Sequence, residues 1–389
     1  MKTIYVDNNA TTRVDPRVVE AMMPFFTELY GNPSSMHSFG GKVGGAIEQA
    51  REKTAALINA SAGEIVFTSC GTESDNTAIK AAIAAAPEKK HILTSRVEHP
   101  AVKSLYEQLA TRGYRTTFVP VNNVGELDLD YLYDHLTDDT AIVSIMWANN
   151  ETGVIFPIQE IAAEVRKRGI VFHTDSVQAA GKIPIDVHAS GIDMLSLSGH
   201  KIHAPKGVGA LYIREKTRFS PFLVGGHQED GRRGGTENVA SIIGLGMAAE
   251  LAGDHLANGS MEKVGKIRDR LEKGLLEGVP GSMVNGTVNA RLPNTTSISF
   301  EYVEGEAILL MMDQLGICAS SGSACTSGSL EPSHVLRAMS VPFTAAHGSI
   351  RFSLSTFNTK EEIDYIIEKM PPLIARLREL SPFWNEPAD

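Results

Sequence analysis

Short apolar runs alternate with amphipathic segments over about the first 250 residues, a pattern that predicts alternating β-strands and α-helices. The apolar runs are continuous, which is typical of strands buried on both faces of a sheet. The fold class indicated is therefore α/β, with a mainly parallel sheet between layers of helices. Strands are expected at 65–67, 91–95, 115–121, 141–147, 170–174, 194–197 and 208–213, and helices at 72–86 and 158–168.

Prolines and glycines suggest where other helices and loops begin and end. An Asp-Pro pair at 15–16 provides an N-cap and a first helical residue for a helix expected to end near residue 31. The Gly-rich, polar stretch 216–238 predicts a long loop. A capping box opens a helix at 359–369, which the prolines at 371–372 are expected to interrupt.

The bulk composition narrows the class of protein. The chain has 389 residues, 42% of them hydrophobic, which is enough for a sizeable core. Lys and Arg total 36 against 46 Asp and Glu, a net charge of −10, so binding to nucleic acid or to an anionic membrane is not expected. Neither a bilayer-spanning apolar run nor a signal peptide is recognised. Three irregularly spaced cysteines favour a reducing cytoplasm over a disulfide framework or a closed zinc site.

One of these cysteines has unusual neighbours. Cys325 lies in the run 319–329, ASSGSACTSGS, which has no apolar face to bury and predicts a mobile surface loop. A thiol on such a loop suits a nucleophile that reaches into a site and then moves its product out. The alternative is a small-residue turn with an incidental cysteine. Cys70 and Cys318 are expected to be small buried side chains.

Two polar segments follow predicted strands, at the edge where α/β sheets bind ligands. The turn Cys70-Gly71-Thr72-Glu73 opens a helix, and the exposed N–H groups of such a turn can bind an anion. Asp175 ends the strand 170–174, where a carboxylate could keep a pyridinium nitrogen protonated and make a pyridoxal ring an electron sink. The alternatives are ordinary capping roles for Thr72 and Asp175.

A third strand-end segment, Ser198-Gly199-His200-Lys201, contains a candidate lysine. Such an amine could form a Schiff base with a carbonyl cofactor if burial or nearby positive charge makes it nucleophilic. Ser198 and His200 provide donors suited to phosphate. A surface lysine without function is the alternative, and Lys206 is a competing candidate in a turn-like Pro-Lys-Gly.

His99 and Arg351 are two further candidates. His99 follows a strand and could stack on a flat ring or exchange protons near neutral pH, although a hydrogen-bonded loop histidine is the commoner case. Arg351 lies in the strand-like SIRFSLS, where a buried guanidinium requires an anionic partner. That partner is either a substrate carboxylate or a structural one.

A series of linked motifs extends over nearly the whole chain. They are YVDNNATT (5–12), GNPSSMHSFG (31–40), FTSCGTESDN (67–76), EHPAV (98–102), WANNETG (147–153), HTDSVQAAGK (173–182), SLSGHKIHAPKGVG (196–209), GGTEN (234–238), SSGSACTSGSLEPSHVLRAM (320–339) and SIRFSLS (349–355). Together they resemble the aminotransferase class V family of pyridoxal-phosphate enzymes, and within it the NifS/IscS-type cysteine desulfurases. WANNETG, HKIHAPKG and EYVEGEAILL are nearer to the NifS branch than to IscS.

The resemblance implies a role for each matching residue. It implies the PLP-dependent transferase fold type I, with Lys201 bonded to pyridoxal 5′-phosphate and Cys325 accepting sulfur. The other implied cofactor contacts are Asp175 at the ring nitrogen, Gln178 at the ring hydroxyl, His99 stacked on the ring and active in proton transfer, and Thr72, Ser198, His200 and the backbone near Gly71 at the phosphate. Asn150 would contact the cofactor and, with Arg351, the substrate carboxylate. Thr236 would reach the phosphate of the neighbouring subunit of a homodimer.

The resemblance also implies a domain division and a reaction. Residues 15–255 would form a large cofactor-binding domain, and 1–14 with 256–389 a small domain that includes the cysteine loop at about 319–331. The implied reaction takes sulfur from L-cysteine, gives L-alanine and a Cys325 persulfide, and supplies an iron–sulfur scaffold protein, in nitrogenase-type maturation. Alternatives are a housekeeping IscS-like donor, a selenocysteine lyase or an aminotransferase of the same fold.

A noncatalytic iron–sulfur carrier is the alternative from another class of protein. The absence of CxxC spacing argues against a preformed cluster site. No fixed metal site is implied, and contact of a transient iron–sulfur cluster with Cys325 stays open.

Overall fold

The computed structural model describes residues 3–321, 332–382 and 384, so Cys325 and most of its predicted loop lie outside the described residues. Within these ranges the strands, β1 to β12 in chain order, are Ile4–Tyr5, Ile65–Thr68, His91–Ser95, Arg115–Val119, Thr140–Ser144, Val171–Asp175, Met194–Ser198, Gly209–Ile213, Ser282–Val284, Thr295–Phe300, Ile317–Cys318 and Ser349–Ser353. The helices, α1 to α14, are Pro16–Met22, Pro24–Thr27, Ser38–Ala56, Gly71–Ala85, Pro100–Ala110, Leu129–Asp134, Ile158–Lys167, Val187–Ser190, Val239–Ala257, Ser260–Gly278, Gly305–Gln314, His334–Ala338, Phe343–Ala346 and Lys360–Glu379.

Seven strands form the central sheet, in the order β2-β8-β7-β6-β5-β3-β4. Neighbours from β7 to β4 pair in parallel, whereas β8 is antiparallel to both β2 and β7. The mainly parallel sheet predicted from the continuous apolar runs is therefore confirmed. Because β2, β3, β5, β6 and β7 all point the same way, the segments that follow them emerge along one edge of the sheet.

Helices cover both faces of this sheet, as the apolar strands predict. Successive residues on one strand belong to different core clusters. Leu93 is part of the cluster that contains residues of α3, α7 and α9, and Ile92 is part of the cluster that contains residues of α4 and α5. The same alternation occurs at Leu195 and Met194 on β7. β3 and β7 are therefore buried on both faces of the sheet.

A second core lies around the antiparallel sheet β9-β10-β12, which packs with α10, α11 and α14. It also includes Ile4 and Val6 from the start of the chain, because β1 pairs in parallel with β11. Residues 4–6 are thus attached to this second core.

Two predictions about prolines are wrong in detail. The helix expected to run from residue 16 to about residue 31 breaks at Met23, since Pro24 has no N–H to continue the ladder, and α2 ends at Thr27. Conversely, α14 continues through Pro371 and Pro372 to Glu379. Buried residues on both sides of the prolines pack into the second core, and this packing outweighs the lost hydrogen bonds.

The long polar loop predicted at 216–238 is confirmed. It links Ile213 to Val239 and contains one short 3₁₀ turn, Gln228–Gly231. Among the helices of the described residues, none combines the length and apolarity that crossing a bilayer requires.

Candidate active site

Most of the residues singled out in the sequence line one cavity of about 340 Å³, at the edge where the parallel strands end. Cavities of this size are typical of small-molecule sites. The predicted residues that line it are Gly71, Thr72, His99, Asn150, Asp175, Gln178, Ser198, His200, Lys201 and Arg351. Strand ends separated by more than a hundred residues in sequence therefore meet at a single site.

Lys201 lies in the 3₁₀ turn that follows β7. Its Nζ donates to the backbone oxygen of Asn9 at 2.6 Å and to that of Ala10 at 2.7 Å. The competing candidate Lys206 does not line this cavity. Lys201 is thus the lysine whose amine lies beside Asp175 and His99.

Asp175 is the last residue of β6 and is buried. Its Oδ1 accepts a hydrogen bond from the N–H of Val177 at 2.9 Å. Burial raises the pKa of Asp175 to about 6, against the lowering effects of the Val177 N–H and of Lys201. A cation facing this carboxylate would favour its charged form, so the site suits a protonated ring nitrogen.

His99 is the N-cap of α5, and its Nδ1 accepts the N–H of Ala101 at 3.1 Å. This bond assigns the ring proton to Nε2. Burial, followed by the charge of Lys201, lowers the pKa of His99 to about 4. The ring is therefore neutral at neutral pH, with an Nε2–H available as a donor.

The N-terminus of α4 forms the other side of the cavity. Within the described residues no hydrogen bond uses the N–H groups of Gly71, Thr72 or Glu73, so these donors and the helix dipole favour an anion there. A Cβ on Gly71 would lie 2.8 Å from Val177, so glycine permits the close approach of α4 to the end of β6. The nearby Ser198 Oγ is buried and has no hydrogen-bond partner among the described residues.

His200 is the fourth predicted phosphate contact. Its Nδ1 shares a hydrogen bond with Thr11 Oγ1 at 3.1 Å. Burial, then Lys201, lowers the pKa of His200 to about 4, so it can contribute a hydrogen bond but no charge at neutral pH.

Arg351 on β12 approaches from the second core and is almost fully buried. Its Nη2 donates to Asp7 Oδ1 at 2.8 Å and its Nη1 to the backbone oxygen of Asn150 at 3.0 Å. Its Nε has no hydrogen-bond partner among the described residues. A structural carboxylate thus pairs with Arg351, which retains an unused donor.

Thr236 is not brought into this cavity. It lines a separate cavity of about 160 Å³, with Thr68, Ser69 and Glu237 among the other lining residues. Its predicted contact with the cofactor of a neighbouring subunit remains a prediction, as does the nucleophilic role of Cys325, which lies outside the described part of the chain.

Sequence reasoning missed Asn9 as a site residue. Its backbone oxygen accepts from both Lys201 and Gln178, the latter at 3.1 Å. Its side chain donates to the backbone oxygen of Asn150 and to Thr295 Oγ1. Asn9 therefore links the cavity to the second core. The signal was present in the polar run DNNATT, which has no apolar periodicity of its own.

Asp75 was missed in the same way. It lines the cavity one turn after Thr72, and its Oδ1 lies 3.6 Å from His173 Nε2 and has no hydrogen bond within the described residues. Burial and the charge of Asp175 raise the pKa of Asp75 well above its usual value. Asp75 thus adds a second buried carboxyl group behind Asp175.

The expectation that Cys70 and Cys318 are buried is also wrong. Both are partly exposed, and Cys70 lines the cavity next to Gly71. A strand end that opens onto a ligand site leaves its side chains accessible, which the position of Cys70 after a strand did not reveal.

Comparisons with known proteins identify the family of the chain. Residues 4–366 match the model of the Aminotransferase class-V family. The chain is 61% identical to the "Cysteine desulfurase" of Trichormus azollae over 388 residues, covering 100% of this chain and 97% of the relative. It is 59% identical to the "Cysteine desulfurase NifS" of Azotobacter vinelandii over 386 residues, covering 99% and 96%.

Solved structures show the same fold. A "NIFS-LIKE PROTEIN" superposes with a TM-score of 0.90 at 39% identity, covering 97% of this chain and 100% of its own. A NifS-like protein from Rickettsia africae superposes with a TM-score of 0.86 at 35% identity, covering 96% and 100%. By sequence, fold and the arrangement of its strand-end residues, the chain belongs to the aminotransferase class-V family, among the cysteine desulfurases related to NifS.

Proposed function

We propose that this protein is a cysteine desulfurase that uses pyridoxal 5′-phosphate to transfer sulfur from L-cysteine to Cys325, releasing L-alanine. The observation that supports this most strongly is the meeting of Lys201, Asp175 and His99 with the anion-binding end of α4 in one cavity. Each of these residues alone has an ordinary structural explanation, whereas together they match the functional groups of one cofactor.

The donor set fits pyridoxal phosphate on structural grounds. Ser198 Oγ, buried without a partner among the described residues, lies at the same cavity as the unused N–H groups that open α4, as phosphate recognition requires. Asp175 is positioned for the ring nitrogen and Lys201 for covalent attachment. Pyridoxal phosphate bound there supplies an electron sink for the negative charge that forms next to the substrate amine.

The protein's own groups perform the remaining tasks. Arg351 offers its unused Nε–H to the carboxylate of L-cysteine, and Asp7 fixes the guanidinium plane from the other side. Lys201, when released from the cofactor, takes the α-proton of the substrate. His99 holds its proton on Nε2 and donates it within the cavity. Burial of Asp175, His99 and Gln178 excludes water and strengthens each of these interactions.

Sulfur transfer uses Cys325. The Cys325 thiolate attacks the substrate sulfur and forms an S–S bond, while the substrate C–S bond breaks and leaves its electron pair on the β-carbon. That carbon takes a proton and Lys201 returns one to the α-carbon, which gives L-alanine, and Cys325 is left as a persulfide. No external oxidant is needed, because sulfur moves between the two partners with the electrons balanced.

The partners follow from this chemistry. The persulfide passes to an acceptor, for which we propose an iron–sulfur scaffold protein and a nitrogen-fixation role, supported by the 59% sequence identity to the NifS of Azotobacter vinelandii.

A homodimer is proposed because Thr236 and the exposed Val224 belong to one loop outside the cavity. We assign residues 15–255 to the cofactor-binding domain, and the two chain ends to the second. A reducing cytoplasm suits the three cysteines.

The test combines the visible spectrum of the purified protein with assays of alanine and sulfide after addition of L-cysteine and a thiol reductant. The parent protein is expected to be yellow and to release alanine and sulfide in equal amounts. Lys201→Ala should abolish both products, and Cys325→Ser should remove most of the sulfide release. Lys206→Ala and Cys318→Ser are matched controls that should retain activity.

Three outcomes would contradict the proposal. A colourless protein that binds no pyridoxal phosphate would exclude the cofactor. Alanine formation that requires a keto acid would identify an aminotransferase. Full sulfide release by Cys325→Ser, with loss in Cys70→Ser, would move the nucleophile to the cysteine that lines the cavity.

A further inference from the structure

Lys182 is a buried amine beside the active site for which the proposed chemistry has no use. It lies in the turn region after β6, four residues beyond Gln178, and only 7% of its surface is exposed. Its Nζ donates to Gln178 Oε1 at 2.8 Å and lies 3.4 Å from Asn9 Oδ1. Both acceptors are neutral amide oxygens. Burying an amine with such partners lowers the stability of the folded protein, so we expect Lys182 to serve a function.

The contacts of Lys182 determine which way the Gln178 amide faces. The amine of Lys182 donates to Oε1, so the oxygen end of the amide faces Lys182. The amide nitrogen is then directed to the other side, where one N–H is given to the backbone oxygen of Asn9 at 3.1 Å. Gln178 also lines the cavity. Its second N–H has no acceptor among the described residues and is available to a ligand.

We propose that Lys182 is a positioning residue that holds the Gln178 amide with its N–H toward the ring oxygen of the bound cofactor. This inference rests on the proposed function, in which Gln178 contacts that ring hydroxyl. Lys182 donates to the oxygen of the Gln178 amide, and the Asn9 carbonyl accepts from its nitrogen. Without Lys182, Gln178 Oε1 is left buried and unpaired, and the side chain is free to rotate away.

The expected effect is on the proton affinity of the bound cofactor. A hydrogen bond donated to the ring oxygen stabilises its anionic form and so favours loss of the proton that this oxygen shares. When the donor is lost, the proton is retained to higher pH. The midpoint of the pH-dependent change in visible absorbance should therefore move upward.

A double-mutant cycle tests whether Lys182 acts through Gln178. Lys182→Met has nearly the length of lysine and no donor, and a cavity of about 40 Å³ that borders Lys182 leaves room for it. In the parent background Lys182→Met should raise the spectral midpoint by about 0.5 to 1 pH unit, a three- to tenfold change in proton affinity. In the Gln178→Ala background the same substitution should cause a smaller shift.

Either of two results would overturn the inference. One is the absence of a shift in the parent background. The other is a shift at least as large in the Gln178→Ala background, which would mean that the amine acts by its own charge. Lys167→Met, at a lysine whose side chain is 71% exposed, is the control and should leave the midpoint unchanged.

Lys182→Gln keeps the test open if Lys182→Met does not fold. This variant removes the charge but keeps an N–H donor for Gln178 Oε1, so its midpoint should stay near that of the parent. A midpoint displaced as far as that of Gln178→Ala would contradict the positioning role. Failure of the parent protein to bind pyridoxal phosphate would instead contradict the proposed function, so the two failures are distinguishable.

Discussion

Glu98, which precedes His99, is fully buried and keeps a proton that a carboxyl group on a protein surface would lose. Its Oε1 accepts from Ser95 Oγ at 2.6 Å and from the N–H of Met146 at 3.0 Å, whereas Oε2 has no hydrogen bond within the described residues. Burial, only partly offset by the hydrogen bond from Ser95, raises the pKa of Glu98 to about 8. The side chain is therefore neutral at pH 7.

Stability should depend on pH through Glu98. The folded protein holds this proton up to about pH 8, and an unfolded chain loses it near the ordinary value, so stability falls as pH rises between them. Glu98→Gln removes this dependence. The free energy of unfolding of the variant relative to the parent should rise by about 3 kcal/mol between pH 5 and pH 8, as measured by urea titration.

The control for this prediction is Glu107→Gln, at a half-exposed glutamate on α5. It should keep the pH slope of the parent. If Glu98→Gln and the parent lose stability in parallel between pH 5 and pH 8, Glu98 is charged in the folded protein and the prediction is wrong.

The site residues that the sequence predicted correctly are those at strand ends. The carboxyl ends of parallel strands meet at one edge of an α/β sheet, however long the segments that connect them. Asp175, Lys201 and Thr72 were found in this way. Asn9 and Lys182 were not, since their contacts are made at separations of 141 to 344 residues or with a neighbour whose own role had first to be known. The local sequence of Lys182 does not distinguish it from a surface lysine. The polar run DNNATT signals the segment of Asn9 but not the partners of that residue.

Helices α3 and α9 cross unusually closely beneath the central sheet. A Cβ on Gly246 of α9 would lie 2.5 Å from the Cα of Ala50 on α3, a distance that the backbones cannot accommodate without moving apart. Gly253 lies two turns further along the same helix and has nothing within 4 Å of that position. The same substitution should therefore have opposite effects at the two glycines.

Gly246→Ala should lower the free energy of unfolding by about 2 kcal/mol or more, because overpacking forces α3 and α9 apart. Gly253→Ala should raise it by about 0.5 to 1 kcal/mol, because alanine loses less backbone entropy in a helix. Thermal melts of the two variants beside the parent provide the measurement. A destabilising Gly253→Ala, or a neutral Gly246→Ala, would show that the crossing is looser than the structure indicates.

The elements predicted best were the strands of the central sheet, whose continuous apolar runs follow from burial on both faces. The elements predicted worst were those at prolines. Pro24 breaks α1 where an amphipathic pattern continues, and the two prolines of α14 do not end it. The low helix propensity of proline determines where a helix ends if packing is weak, as in the half-exposed α2. In α14 the packing of buried residues such as Met370 and Leu373, which flank the prolines, outweighs it.

Several large apolar side chains are exposed on the surface of the single chain, where burial against a partner would be favourable. Met36 is fully exposed, Val224 is 87% exposed and Tyr30 is 71% exposed. Val224 is next to Leu223, whose backbone oxygen accepts the N–H of Gly234, so this surface adjoins Thr236. We therefore expect the proposed homodimer to cover this surface and to place Thr236 near the partner's cavity.

Mixed dimers test this arrangement directly. Lys201→Ala removes the amine from one cavity, and Thr236→Val removes a proposed phosphate contact from the other subunit's cavity. Subunits of the two variants that are unfolded and refolded together should regain about a quarter of the parent's activity, because half of the dimers are mixed and each has one intact site. Activity is measured as alanine release.

The matched control pairs Lys201→Ala with His99→Ala, two residues of the same cavity. Here every site in a mixed dimer lacks one group or the other, and no activity should return. Recovery absent from the Thr236→Val mixture, or equal in the two mixtures, would place Thr236 outside the site.

The long-range contacts of Asn9 determine when the active site can form during synthesis of the chain. Its bonds reach Asn150, Thr295 and Ser353, so Asn9 meets partners up to 344 residues further along the chain. Lys201 and Asp175 leave the ribosome long before Arg351 and Ser353 do. The nascent polypeptide therefore cannot close the site around substrate until residues 351–353 have been synthesised, which keeps a shorter chain from handling a reactive sulfur atom.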